Sequence, residues 1–84
     1  MPVLAKFYGV VILMLFSKSL PARFHAIYRG EEVVVEVFPL RIVDGSVPPP
    51  VADRILEWGR LHRRELLAAW QRCRLAQRPL PIAA

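Results

Sequence analysis

Apolar residues run along this chain in two rhythms, and the change between them falls near residue 50. Upstream the spacing is that of strands. Val3 to Phe7 is a short apolar-rich stretch closed by the turn signal Tyr8-Gly9. Val10 to Phe16 then runs without a polar break, which predicts a central strand covered on both faces. Ser17 to Ala22 reads as a loop, because Pro21 cannot donate to a ladder. Arg23 to Tyr28 and Glu31 to Val37 form two further strands joined at Arg29-Gly30, a two-residue hairpin connection. That connection sets a register in which Tyr28 faces Glu31, Ala26 faces Val33, Phe24 faces Val35 and Arg23 faces Glu36. Phe24, Ala26 and Tyr28 then share a core face with Val33, Val35 and Val37, and Arg23, His25, Glu32 and Glu36 lie on the other. Leu40 to Val43 makes a last short strand after Pro39, closed by Asp44-Gly45.

From Val51 the period becomes helical, with Ala52, Ile55, Leu56, Gly59, Leu66, Trp70 and Cys73 on one stripe that packs on the sheet. Pro48, Pro49 and Pro50 make a stiff connector over 46–50, and Pro50 suits the first helical position, where its missing N–H is needed by no helical bond. A break near His62 divides the helical region. The expectation is a single α+β domain over 1–84. A small antiparallel sheet of four to five strands occupies about 3–43, helices packed against it occupy about 51–77, and an extended tail containing Pro79 and Pro81 covers 78–84.

Composition adds a partner to this picture. Of 84 residues 55% are hydrophobic, more than a core of this size hides, so part of the surface is expected to meet a protein partner or a second copy. The run from Val10 to Phe16 is far too short for a membrane-spanning helix, which needs about 20 residues. Tyr8-Gly9 upstream and Leu20 before Ala22 make poor signal-peptide flanks. Cys73 is the only cysteine, so no internal disulfide forms, and the expected setting is the cytoplasm.

Charge is uneven. Residues 51–84 hold seven arginines against three acidic side chains, whereas residues 1–50 hold five basic against four acidic. Read as one helix from Val51 to Arg78 at about 100° per residue, Arg60, Arg64, Arg74 and Arg78 fall in one arc. Such an arc serves phosphates, an acidic protein partner, or simply water, with Glu57 pairing Arg60. His25 is the one candidate for acid–base catalysis, and Ser19 and Arg23 are its only chemically useful neighbours in sequence. No second catalytic group is evident, so an enzyme is not the favoured reading. Three or four metal ligands do not converge among His25, His62 and Cys73, so neither a metal nor another cofactor is expected.

The residues also resemble a known family. Met1-Pro2, Phe7-Tyr8-Gly9-Val10-Val11-Ile12 with Met14, Pro21, Phe24-His25-Ala26, Asp44-Gly45, Glu57-Trp58, Leu61-His62-Arg63, Glu65-Leu66-Leu67 and Trp70 are together similar to the bacterial domain of unknown function 4160 family. The resemblance implies an α+β fold. It also implies a gene often found beside a member of a second small family, domain of unknown function 2442, in a toxin–antitoxin-like module. The family's loop reads N-D-H-x-P-P-H-x-H. Here Ser17-Lys18-Ser19 replaces its start, Ala22 its second proline and Arg23 its middle histidine, so only Pro21, Phe24 and His25 remain of that stretch. The expected function is a small interaction module working with a protein partner; the alternative is a nucleic-acid-binding or nuclease-like component using the arginine face.

Overall fold

Two turns with consecutive left-handed residues fold the first part of the chain back on itself. The computed structural model describes residues 3–84; Met1 and Pro2, which belong to the family resemblance, lie outside the described residues. Tyr8 (φ 53°) and Gly9 (φ 75°) join β1 (Val3–Phe7) to β2 (Val10–Leu13), and Arg29 (φ 49°) and Gly30 (φ 80°) join β3 (Arg23–Tyr28) to β4 (Glu31–Val37). Positive φ at both turn positions matches the twist of the strands on either side. β5 (Leu40–Gly45) returns after Phe38-Pro39. The result is a five-stranded antiparallel sheet in the order β1-β2-β3-β4-β5. The register between β3 and β4 is the one the hairpin dictates, from Arg23 opposite Glu36 to Tyr28 opposite Glu31.

β2 corrects one expectation. It ends at Leu13 and is second in the sheet, while β3 occupies the middle. Val10, Ile12 and Met14 enter the core, and on the opposite face Leu13 is buried and Val11 half-buried, so both faces of the strand are covered to that extent; beyond it Leu15 is exposed. Phe16 reaches Trp70, with ring centroids 4.9 Å apart.

α1 (Pro49–Leu61) and α2 (Arg63–Arg74) cover a single face of the sheet. Val51, Ile55, Trp58, Leu66, Ala69 and Trp70 bury themselves against Phe24, Ala26, Val33, Val35 and Val37. Trp58 stacks on Phe7 at 5.3 Å and meets the edge of Phe24 at 5.6 Å. The helix starts at Pro49, one residue earlier than expected, with the Val51 and Ala52 amides donating to the Pro48 carbonyl. His62 divides the helices: its N–H donates to Trp58 and its carbonyl accepts from Leu66.

The tail is part of the fold. Ile82 is buried, its N–H donates to the Leu4 carbonyl at 2.8 Å, and Trp58 Nε1 donates to the Ala83 carbonyl at 3.2 Å. A bulge in β1 between Val3 and Ala5 brings both Leu4 and Ala5 into the core beside it. The extended tail therefore covers the outer edge of β1, which would otherwise present unpaired backbone groups.

Candidate functional site

The break at His62 rearranges the arginines. Arg60 ends α1 and Arg64 begins α2; Arg74 is the last residue of α2, and Arg78 lies beyond it in the tail. The single arc over Val51 to Arg78 is therefore replaced by two clusters, because one continuous helix does not exist. Arg74 lies 5.8 Å from the Phe16 ring, and the Arg78 carbonyl accepts from Arg72 Nε at 2.8 Å. About 14 residues of helix, on the order of 20 Å, separate that end from Arg60.

Arg60 and Arg64 do meet, together with Arg63, around a shallow concavity of about 630 Å³ at the junction of the helices, lined also by Leu61, Glu65 and Leu67. Each arginine is held differently. Arg60 pairs with Glu57 through two hydrogen bonds, 2.6 and 3.1 Å. Those bonds hold the Glu57 carboxyl below its ordinary pKa and raise that of Arg60. Arg63 Nε donates to the Val37 carbonyl at 3.2 Å while its guanidinium lies 5.3 Å from the Phe38 ring. Arg64 is exposed. Leu61 is 63% exposed and Leu67 41% exposed beside them, an apolar component that a merely solvated face does not require. Sequence reasoning passed over Arg63, Leu61 and Leu67. Even on an uninterrupted helix Leu67, seven residues after Arg60, falls within the arginine arc and Arg63 at its edge; only Leu61 lies off it, so the apolar component was open to helical phase and was missed because charge alone was followed.

His25 stands on the face of the sheet that the helices leave bare. Its Nδ1 lies 2.5 Å from Glu32 Oε2, so its partner is Glu32 and not the Arg23–Glu36 pair, which closes separately at 3.5 Å. Glu36 also accepts from Arg41 at 3.0 Å. Ser19 bonds Ser17, Oγ to Oγ at 3.2 Å, and Arg23 also donates to the Pro21 carbonyl at 3.4 Å. Each of the three residues considered together for acid–base work is thus engaged elsewhere. A carboxylate on one imidazole nitrogen orients the ring. Among the described residues no group of three His, Cys, Asp or Glu is placed to hold a metal ion.

A second histidine–carboxylate pair escaped the sequence reading. His62 Nδ1 lies 2.6 Å from Glu65 Oε1, and its ring packs 5.1 Å from Trp58. Glu three residues after the residue that opens a helix is the spacing of a reciprocal cap, and here the contact is made side chain to side chain. Trp58 and His62 also line an open groove of about 520 Å³ with Phe7, Pro50 and Arg54, whose rim carries Asp53 and Glu57. Arg54 caps that groove by sitting 3.8 Å over the Tyr8 ring.

No helix among the described residues is long and apolar enough to cross a membrane. Residues 9–71 match a family model described as Domain of unknown function (DUF4160). No curated protein and no solved structure matches the chain.

Proposed function

The chain belongs to the family described as Domain of unknown function (DUF4160), which assigns no chemistry, and we propose that it is a small protein-interaction module whose partner docks at the junction of α1 and α2. The observation that carries this reading is the mixture at that junction: exposed Leu61 and Leu67 set among Arg60, Arg63 and Arg64 on a concave surface. Arginine with apolar and aromatic side chains is the composition of protein interfaces, and the exposed Phe38 ring 5.3 Å from Arg63 belongs to the same set. The complementary partner carries acidic side chains around an apolar ridge. The two-gene arrangement that the family resemblance implies makes the product of the adjacent gene the first partner to test.

Purified chain and that product are titrated by calorimetry, alongside Arg60→Gln/Arg64→Gln and Leu67→Ser variants. Each variant is expected to weaken the complex at least tenfold, a loss of about 1.4 kcal/mol or more. Absence of a complex, or variants that bind as the parent does, refutes the reading. Binding to an oligonucleotide that weakens tenfold or more between roughly 50 and 200 mM salt points instead to nucleic acid.

A further inference from the structure

Among the described residues, neither helix packs on one face of the sheet, although Leu13 on that face is buried. None of Val11, Leu13, Ile27, Val34 or Val43 joins the core cluster, and the helices and the buried tail residue Ile82 all pack with the opposite face. Across β1 to β4 the residues that stand side by side on the bare face are Lys6, Val11, Ile27 and Glu32 in one row, and Val3, Leu13, His25 and Val34 in the next. The first row reads cation, apolar, apolar, anion. That order is its own complement when reversed.

We infer that this face is closed by a second copy of the chain, packed sheet on sheet about a twofold axis that runs along the strands between β2 and β3. The inference rests on the reading of the chain as an interaction module and names one partner, itself. The axis exchanges β1 with β4 and β2 with β3. Lys6 of one copy then meets Glu32 of the other, twice, while Val11 packs on Ile27 and Val3 on Val34. Glu32 has an oxygen for this contact, because His25 engages only Oε2 and the side chain is half exposed. Sheets stacked about 10 Å apart, with strands nearly aligned, bring such side chains into contact. The patch spans four strands by about five residues, roughly 320 Å² in projection. The Arg23–Glu36–Arg41 pairs form a charged border on one side, satisfied within the copy, so nothing charged at that border is left buried and unpaired.

The test is a charge swap read by sedimentation equilibrium on the full chain. The parent is expected to be a dimer at micromolar concentration. Lys6→Glu places four carboxylates in the homodimer and Glu32→Lys places four ammonium groups there, so each variant alone is expected to dissociate at least tenfold more readily. Mixed in equal amounts the two variants restore both opposite-charge contacts, and a heterodimer as tight as the parent dimer is expected. Circular dichroism of each variant confirms that the fold is kept. A monomeric parent, single variants that dimerise like the parent, or a mixture that stays monomeric overturns the inference. Titration of the same samples with the adjacent gene's product separates the two readings. A monomer that still binds it overturns only the dimer, and a dimer that never binds it overturns only the hetero-partner.

Discussion

Gly45 and Gly30 sit in nearly the same backbone conformation, φ 78° and 80°, in opposite surroundings, and the pair isolates what packing alone contributes at the end of the sheet. A Cβ on Gly30 meets nothing within 4 Å. A Cβ on Gly45 falls 2.0 Å from the Glu32 carbonyl oxygen and 3.2 Å from Val33 Cα, both backbone atoms that no rotamer change can withdraw. Gly30→Ala therefore carries only the left-handed cost of an L-residue, about 1–2 kcal/mol. Gly45→Ala carries that cost and must also push β5 away from β4 at the Val33–Gly45 pairing, adding about 1–3 kcal/mol as overpacking does. A chain of 84 residues has a total stability of about 4–13 kcal/mol, so the second variant loses a large share of it. In urea, with a slope of about 1–2 kcal/mol per molar for a chain of this size, the Gly45→Ala midpoint is expected to lie roughly 1 M below that of Gly30→Ala. Coincident midpoints refute the close approach of Gly45 to the Glu32 carbonyl and the β4–β5 register built on it.

Docking of the tail predicts that Ile82→Ala costs about 2–4 kcal/mol and lowers the melting temperature on the order of 10 °C. Leu80→Ala, at a site 61% exposed, changes stability by no more than about 0.5 kcal/mol, and equal effects in a melting experiment would show that the tail is not docked. Burial raises the Cys73 thiol above its ordinary pKa against the opposing pull of Arg72, so the folded state keeps its proton longer than the unfolded one. The stability this contributes is complete below the unfolded value and is lost as pH rises through the folded value. Iodoacetamide is expected to alkylate the native chain at neutral pH more slowly than it alkylates a free small thiol; equal rates would remove burial as the controlling cause.

The sheet was legible where short-range chemistry decides it. Tyr8-Gly9 and Arg29-Gly30 each supply one glycine that takes positive φ freely, with Tyr8 and Arg29 held there by the turn, and a two-residue turn between strands leaves only one register. The length of β2 was not legible, because seven apolar residues in a row carry no period. Met14 and Phe16 continue into the core after the ladder ends, and only the docked helices give those side chains their places. The extended tail docks in a way that was not legible. Its Pro79 and Pro81 state that it is not a helix, but its hydrogen bond to Leu4 depends on the β1 bulge, a long-range coincidence that local sequence does not contain.

The candidate site shows the same division. Arginine excess in the last third of the chain is a property of composition and survives folding, whereas the arc was a property of helix phase and did not. Arg60, Arg63 and Arg64 share a concavity, as residues three and four apart do on a helix surface, whereas α2 ends at Arg74 and leaves Arg78 beyond it, off any helix face. The bare face of the sheet, by contrast, follows directly from the hairpin register, because residues directly opposite one another share a face. Lys6, Val11, Ile27 and Glu32 align once β1 to β4 are paired, and both helices pack on the opposite face. The two surfaces proposed for partners are the strand face with its row of charges and the helix junction with its leucines. A chain with two such surfaces can bind a copy of itself on one and a different protein on the other.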